Sequence, residues 1–299
     1  MLQLKTAGYN ALGVLRTEGK VPGGWSTMEE LRLKADEGVA RFFEKRFEVS
    51  GELGGVFLGN ELLDRAIRTS EIEYMDRPGV PDSERLAMVQ ALDRQNGMMG
   101  LYARYVEILL PLIREAAELE HREVRVLELA CGAGGLSLAL AEEVRRLGLK
   151  VSITASDVVP AFVESGNLLA ATKGLAVEFR VIDAFTMEGL GEGAFDIVVM
   201  SQSLHHFTPG QLAVIIAQSA RHASTAFVGI DGYRSLLLAG GVPLIAGLQG
   251  IGAFTIDGLI SARKFYSEME LDLIAEIATG KNNHQVLCSW PFSVLLVKF

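Results

Sequence analysis

Acidic and glycine residues stand close together around position 130. In the stretch "RVLELACGAGGLSLALAEEV", an apolar run ends at Glu128 and an amphipathic helical pattern begins a few residues later. The small residues between them are Ala130, Cys131, Gly132 and Gly134. Glycines allow a tight turn into the N-terminus of a helix and a close approach of a ligand to the backbone. This stretch therefore predicts a ligand-binding turn, although on its own it suits several nucleotide ligands.

Two more acidic residues restrict the class of ligand that the site could bind. Asp157 lies 23 residues after Gly134, a distance that suits binding of ribose hydroxyls, and Asp183 follows a third apolar run. There it is placed to accept a hydrogen bond from an adenine amino group. Glu128 would repel a pyrophosphate but attract a cation or an amino group. The three acids predict a positively charged, nucleoside-containing ligand, and a dinucleotide fits them poorly.

Two adjacent histidines follow a fourth apolar run. In "FDIVVMSQSLHHF", Ser201 and Gln202 come directly after the run, and His205 and His206 follow. A histidine titrates near neutral pH and is a common general base, so either one is a candidate to take a proton from a substrate hydroxyl. The alternative is that the pair packs and donates hydrogen bonds that fix the loop.

Weaker candidates lie elsewhere in the chain. Tyr102 and Tyr105 share a helical face and are either substrate-side residues or core residues. Asp231 and Arg234 follow a fifth apolar run, where they either hold a polar group of the substrate or are exposed loop charges. The chain has two cysteines and no C-x-x-C pair, so we predict no metal site.

Composition excludes some classes of function. The chain has 299 residues, 49% hydrophobic and 22% charged, which is typical of a globular protein. A net charge of −9 argues against a large phosphate-binding face, so nucleic acid is not an expected partner. The first residues lack the apolar region of a signal peptide, which predicts a cytoplasmic location. The apolar stretch 236–254 contains glycines and a proline, and it predicts a pocket-lining helical segment rather than a stable membrane span.

The pattern of apolar residues changes near residue 123. Before it, we expect helices: one from 26, with Ser26 and Glu29 at capping-box spacing, one over 59–69, and one over 83–120 with breaks or kinks at Gly97, Gly100 and Pro111. After it, short β-branched runs alternate with helical patterns, and two runs joined at Pro291 end the chain. The expected fold is α/β, with a Rossmann-like, seven-stranded, mostly parallel sheet and a C-terminal antiparallel strand pair. We expect a helical cap domain over 1–122 and a ligand-binding domain over 123–299, with the site at the carboxyl ends of the strands.

Residues 124–299 resemble class I S-adenosylmethionine-dependent methyltransferases. "LELACGAGG" is similar to their acidic-x-Gly-x-Gly-x-Gly motif, with Ala130 in place of the first glycine, and "TASDVV", "VIDAF" and "FDIVVMSQSLHHF" resemble the motifs of the next three strands. The resemblance implies S-adenosylmethionine as cofactor. It implies that the cofactor contacts Glu128, Ala130, Cys131, Gly132, Gly134, Asp157, Val158, Asp183, Ala184, Phe185, Ser201 and Gln202.

The resemblance also suggests the acceptor. The Asn-Pro-Pro-aromatic motif used to methylate planar amino groups is absent, and Ser201-Gln202-Ser203-Leu204 stands in its place. Further likeness to quinone and polyketide methyltransferases implies transfer to a small hydrophobic or aromatic acceptor, at a hydroxyl oxygen or a carbon, by in-line displacement. We expect the cap and the stretch 236–254 to roof the pocket, and a homodimer through the N-terminal helices. Two alternatives stay open: a member that binds the cofactor without methyl transfer, and a nicotinamide-dependent reductase.

Overall fold

A seven-stranded sheet organises the molecule. The structure, a computed structural model, describes residues 2–299, apart from the side chains of residues 119 and 120. The strands are β1 (Val124–Leu129), β2 (Val151–Asp157), β3 (Val177–Val181), β4 (Phe195–Ser201), β5 (Ala223–Gly232), β6 (His284–Ser289) and β7 (Phe292–Lys298). Their order across the sheet is β3-β2-β1-β4-β5-β7-β6. Strands β1 to β5 pair in parallel, and β7 runs antiparallel between β5 and β6. The predicted fold class and the C-terminal antiparallel pair are confirmed.

The strand order reverses between β1 and β4. β2 and β3 lie to one side of β1, whereas β4 and β5 lie to the other. Connections that leave neighbouring strands in opposite directions open a crevice beyond the carboxyl ends of those strands. Glu128 is near the end of β1 and Ser201 ends β4, so both residues face this crevice region.

Helices cover both faces of the sheet and form the N-terminal part of the chain. They are α1 (Leu2–Thr17), α2 (Met28–Leu53), α3 (Gly55–Ile67), α4 (Asp82–Met98), α5 (Leu101–Glu120), α6 (Gly135–Leu147), α7 (Pro160–Lys173), α8 (Pro209–His222), α9 (Leu236–Gly247), α10 (Gly252–Lys264) and α11 (Glu268–Thr279). Short 3₁₀ turns occur at Tyr74–Asp76 and Leu204–His206. Across residues 2–299, no helix combines the length and the apolarity needed to cross a membrane.

Three helix boundaries differ from the sequence expectations. The N-cap of α2 is Thr27 rather than Ser26: the Thr27 hydroxyl accepts the N–H of Glu30, and the Glu30 carboxylate accepts the N–H of Ser26. Because Ser26-Thr27 is followed by Glu29-Glu30, the Ser/Thr-x-x-Glu spacing occurs twice, one residue apart. The spacing alone therefore does not say which residue is the N-cap. The helix expected over 59–69 is α3, which begins earlier. At Pro111, where a break or a kink was expected, α5 is not broken, because Pro111 lies on the exposed side, where water can solvate the carbonyl freed one turn before it.

The N-terminal helices share their core with the sheet. On one face, α1 and α2 pack against α8 and α11, and residues such as Leu12, Phe42, Ile215 and Ile274 form one continuous apolar cluster. On the other face, α5 and α6 pack with β1, as in the cluster that contains Leu109. The first helices therefore bury their apolar sides against the second half of the chain. The division into units 1–122 and 123–299 stays a prediction.

A buried group of ions ties these layers together. Arg46 of α2 binds Asp64 of α3, and the same carboxylate accepts from Arg68 and from Arg234, which follows β5. Arg68 also binds Glu270 of α11 through two hydrogen bonds. Burial alone would raise the pKa of Asp64, but Arg68, Arg234 and Arg46 hold it well below its usual range. Asp64 is therefore ionised and compensates three guanidinium groups, of which that of Arg46 is fully buried and that of Arg68 is partly exposed.

We predict that Asp64→Ala strongly destabilises the protein. The substitution leaves buried guanidinium groups without their shared carboxylate, and breaking a buried ion group in this way costs about 3–5 kcal/mol. The free energy of unfolding is measured by urea denaturation. The control is Glu143→Ala, which removes the exposed pair with Arg146 on α6 and should cost less than about 1 kcal/mol. Equal losses in both variants would contradict a structural role of the buried group.

Candidate active site

Two neighbouring strands end in strained residues. Ala130, directly after β1, has a φ of 50°, and Gln202, directly after β4, has a φ of 53°. This left-handed region is uncommon for residues that carry a Cβ, and such strain concentrates at functional sites. The Gln202 side chain is held by Asn96 and by the Tyr105 hydroxyl, at 2.5 Å from its Nε2. Helices α4 and α5 thus support the turn after β4.

Glu128 is buried beside the glycine turn, a name we use for residues 130–135. Its carboxylate accepts hydrogen bonds from the backbone N–H and the hydroxyl of Ser137, at 3.1 and 2.5 Å, and from the hydroxyl of Ser201, at 3.2 Å. Burial raises the pKa of Glu128 to about 7, even though these hydrogen bonds lower it. The carboxylate links β1, the first turn of α6 and the end of β4, and its charge is poorly compensated by the protein.

Asp157 shapes the same turn from the end of β2. Its carboxylate accepts the N–H of Gly132 at 3.0 Å and the N–H of Val159 at 3.0 Å. Burial raises the pKa of Asp157, and the backbone hydrogen bonds oppose that rise. Asp157 therefore positions the glycine turn and the start of α7 while it lines the adjacent cavity.

Two glycines of the turn, Gly134 and Gly135, leave room for side chains of neighbouring strands and helices. A Cβ at Gly134, where φ is 81°, would lie 2.3 Å from the ring of Phe179. A Cβ at Gly135 would lie 1.9 Å from Oδ1 of Asp93, which also accepts the Tyr102 hydroxyl. Gly134 thus allows close packing against β3, and Gly135 allows α4 and α5 to rest on the turn.

One large cavity, of about 920 Å³, opens at the carboxyl ends of the strands. Most of the predicted site residues line it: Glu128, Ala130, Cys131, Gly132, Asp157, Val158, Phe185, Ser201, Gln202, Tyr102, His205 and His206. The structure thus brings together residues that are separated by more than 100 positions in the chain. Burial raises the pKa of the Cys131 thiol well above its ordinary value, so Cys131 contributes a small neutral side chain here.

Some predicted site residues do not line this cavity. Asp183 is exposed and accepts the N–H of Phe185, as a turn-forming aspartate does, so a contact with adenine stays a prediction. Ala184 and Gly134 are set back from the cavity, and Asp231 lies beneath His205. The remaining two predicted residues that do not line the cavity are Tyr105 and Arg234. Tyr105 is buried against Gln202, and Arg234 belongs to the buried ion group.

The roof of the cavity differs from the expectation. Within the described chain, none of residues 236–254 lines it, because α9 and α10 pack mainly against each other. The expected role of that stretch as part of the roof is wrong. The roof comes instead from α4 and from residues 68–76, which we call the wall segment. Asp257 of α10 holds this segment by accepting the N–H groups of Tyr74 and Met75.

The two histidines are each oriented by a carboxylate. His205 is buried, and its Nδ1 lies 2.8 Å from Asp231, which also accepts the backbone N–H of His205. His206 places its Nδ1 2.7 Å from Asp76 of the wall segment. Burial alone would lower the pKa of His206, but Glu73 and Asp76 raise it to about 9. Both rings are therefore fixed in orientation.

Sequence reasoning missed three acids of the site. Glu73, Asp76 and Asp93 all come from the N-terminal helical part and meet the strand ends only in the folded chain. Asp76 stands in a Pro-Gly-rich turn and Asp93 in an ordinary helical pattern, so neither has a spacing that marks it. No local signal could have identified them.

The chain is similar to known methyltransferases. Residues 126–225 match the model of a family described as "Methyltransferase domain". A ubiquinone biosynthesis O-methyltransferase of Xanthomonas axonopodis pv. citri is 35% identical over 102 residues, 34% of this chain and 40% of that protein. A ribosomal RNA small subunit methyltransferase C of Pectobacterium atrosepticum is 36% identical over 85 residues, 28% of this chain and 22% of that protein. The chain thus spans less than half the length of these curated relatives.

The fold has solved counterparts. The plantazolicin methyltransferase BpumL in complex with SAH aligns with a TM-score of 0.53, covering 74% of this chain and 91% of that chain at 10% identity. At such an identity the likeness shows the fold. Residues 126–225 are thus similar to class I methyltransferases, the class that uses S-adenosylmethionine, and the sheet order and the acid and glycine turn after β1 agree with that likeness. Within that class, the matched relatives include one named for small-molecule biosynthesis and one named for ribosomal RNA.

We predict that Glu128→Gln removes a pH-dependent cost of folding. The folded protein holds the Glu128 proton up to about pH 7, against an ordinary pKa of 4.5, so the wild type loses stability as the pH rises between these values. Relative to the variant, the loss is about 3 kcal/mol, since one pKa unit corresponds to about 1.4 kcal/mol. Urea denaturation at pH 4.5 and pH 8 measures it. A difference between wild type and variant that does not change with pH would contradict the buried, uncompensated carboxylate.

Proposed function

We propose that this protein transfers the methyl group of S-adenosylmethionine to a small hydrophobic or aromatic acceptor, at a hydroxyl oxygen or a carbon. One observation carries the proposal. A single cavity of about 920 Å³ joins the acid-lined glycine turn to two oriented histidines and a set of apolar side chains. A cofactor and an acceptor fit together in a space of this size. A cytoplasmic location and a homodimer remain expectations.

The residues at the strand ends suit S-adenosylmethionine. When bound, this cofactor supplies an electrophilic methyl group on a positively charged sulfur. Glu128 and Asp157 line the cavity with negative charge that is not neutralised by an adjacent basic side chain, and such a site favours a cation. The same charge disfavours the pyrophosphate of a nicotinamide dinucleotide. We assign the ribose hydroxyls to Asp157 and the positively charged part of the cofactor to the side of Glu128.

The acceptor part of the cavity is mainly apolar. Val39, Phe43, Ile72, Phe185 and Phe207 line it, and Phe207 packs edge to face on Phe185 with ring centroids 5.5 Å apart. Apolar walls exclude water and restrict the acceptor to few orientations. Such positioning is the main requirement of an in-line displacement and contributes on the order of 7–11 kcal/mol in favourable systems. This lining supports a hydrophobic or aromatic acceptor.

His205 is the candidate proton acceptor for a hydroxyl substrate. Asp231 engages Nδ1, and Nε2 has no hydrogen-bond partner although the side chain is buried. A carboxylate on Nδ1 fixes the tautomer in which the Nε2 lone pair is free, and this is the arrangement that a general base requires. His205 also lines the cavity, so an acceptor hydroxyl has access to it.

The names of the relatives point to two acceptor classes, and other features favour one of them. The first relative is named for O-methylation in ubiquinone biosynthesis, which agrees with an aromatic acceptor. The second is named for ribosomal RNA. A net charge of −9 and the absence of the Asn-Pro-Pro-aromatic motif oppose a nucleic-acid acceptor.

Ligand titration and turnover test the proposal. We expect S-adenosylhomocysteine to bind in isothermal titration calorimetry and nicotinamide dinucleotides not to bind. We expect Asp157→Asn to weaken S-adenosylhomocysteine binding at least about 10-fold, equivalent to about 1.4 kcal/mol. Glu143→Gln, on the surface of α6, is the control and should bind as the wild type does.

Turnover is followed by mass spectrometry with a panel of phenols and quinone precursors. Formation of S-adenosylhomocysteine together with a methylated product supports the proposal. Binding of nicotinamide dinucleotides in place of S-adenosylhomocysteine would favour the reductase. Cofactor binding without turnover on the panel would favour a member that does not transfer methyl groups.

We predict that Phe207→Ala affects the acceptor and not the cofactor. The loss of an aromatic wall should lower kcat/KM for an apolar acceptor at least about 10-fold, while the Kd of S-adenosylhomocysteine changes less than about 2-fold. Leu244→Glu is the control, because Leu244 is exposed on α9 and does not line the cavity. A parallel loss of acceptor and cofactor binding in Phe207→Ala would show that Phe207 supports the fold instead.

A further inference from the structure

Three ligand-type side chains converge beside the cavity, which two of them, His205 and His206, line. Nε2 of His205 lies 3.5 Å from Oε1 of Glu73, and Nε2 of His206 lies 3.7 Å from Oε2 of the same carboxylate. All three ligand atoms lie within 4.8 Å of one another. We call Glu73, His205 and His206 the histidine–carboxylate cluster. These separations are longer than hydrogen bonds, yet they match the spacing of about 3.3 Å between two atoms bound tetrahedrally to one metal ion at 2.0–2.1 Å.

The Nδ1 atom of each histidine, which points away from Glu73, already has a carboxylate partner. Asp231 engages Nδ1 of His205, and Asp76 engages Nδ1 of His206. When Nδ1 donates to a carboxylate, the neutral ring presents the lone pair of Nε2. In that neutral form both Nε2 atoms face Glu73; His206, whose pKa is raised to about 9, releases a proton when it binds a metal ion. A carboxylate on the outer nitrogen is also the usual support of a metal-binding histidine.

Two of the inner atoms lack hydrogen-bond partners. Nε2 of His205 and Oε1 of Glu73 are both buried and form no hydrogen bond, and the two side chains are only 5% and 2% exposed. A buried acceptor without a donor is costly, and two that face each other are costlier. A positive ion between these two atoms would give both of them a partner.

We propose that the histidine–carboxylate cluster binds a divalent transition-metal ion at the acceptor side of the cavity. Two imidazoles and one carboxylate suit Zn²⁺, Fe²⁺ or Co²⁺, whereas Mg²⁺ prefers oxygen ligands alone. Three protein ligands leave a coordination position open toward the cavity, which His205 and His206 line. The ligand set, its spacing and its outer partners support this site.

Lys264 is the competitor of this ion. Its ammonium lies 3.5 Å from Oε1 of Glu73 and also lines the cavity. Without a metal, the lysine supplies part of the positive charge that Glu73 needs. A bound ion would displace the flexible side chain into the cavity. Removing the lysine charge should therefore strengthen metal binding, which a purely structural cluster would not show.

The ion would take over acceptor activation in the proposed reaction, on which this role rests. An acceptor hydroxyl in the open position would have a lowered pKa and would release its proton to solvent at neutral pH. Its oxygen keeps the electron pair of the broken O–H bond and uses it to form the new bond to the methyl carbon. The electrons of the breaking carbon–sulfur bond remain on sulfur, so no oxidant or reductant is needed. His205 then acts as a ligand rather than as the base.

Zinc titration of the full-length, chelator-treated protein tests the site. We expect one Zn²⁺ per chain by calorimetry, and Co²⁺ should give visible absorption bands of a site with nitrogen ligands. Glu73→Gln and His206→Gln should each weaken Zn²⁺ binding at least about 10-fold. Lys264→Met should strengthen it. His121→Asn, which removes an exposed histidine far from the cavity, is the control and should bind as the wild type does.

Two outcomes would overturn the metal site. One is equal Zn²⁺ affinity in the wild type, Glu73→Gln and His206→Gln. The other is Zn²⁺ affinity in Lys264→Met no higher than in the wild type, which decides the question even if the ligand variants fold poorly. S-adenosylhomocysteine binding is measured on the same metal-free samples. Its failure would count against the proposed function, and failure of Zn²⁺ binding alone would count against the metal site and leave His205 as the base.

Discussion

The desolvation of one carboxylate, that of Glu128, governs the arrangement of the site. The group sits where the strand order reverses, and three hydrogen bonds from Ser137 and Ser201 tie it to α6 and β4. These dipoles hold the side chain in place without neutralising it, and its pKa is raised accordingly. A carboxylate without a nearby positive group favours a cationic ligand, because the ligand supplies the positive charge that the surrounding residues do not.

The cavity is a joint product of both parts of the chain. The strand ends supply the acids and the glycine turn, while α4 and the wall segment supply the cover, so neither part forms the site alone. Gly135 is the point of contact, since its missing Cβ lets Asp93 and Tyr102 rest on the turn. The glycine turn, to which we assign cofactor binding, thus also contacts the helices that enclose the cavity.

Local features of the sequence predicted much of this architecture. Parallel strands buried on both faces read as β-branched runs, and the turns after them have distinctive residues, so the seven strands and the glycine turn could be located. Long-range partners could not. Asp231 and Arg234 are three positions apart, yet one supports His205 and the other joins the buried ion group, because the chain turns between them. Glu73 and Asp76 reach His206 across about 130 positions, and nothing in their neighbourhoods encodes that meeting.

The wall segment begins at Arg68, and that arginine is clamped by Asp64 on one side and by Glu270 of α11 on the other. Glu270 itself is held by the capping box at the start of α11. The shape of the cavity is thus coupled to a helix that contributes mainly to the core. Laboratory evolution toward new acceptors would therefore find useful changes at the N-terminal end of α11 as well as among the residues that line the cavity.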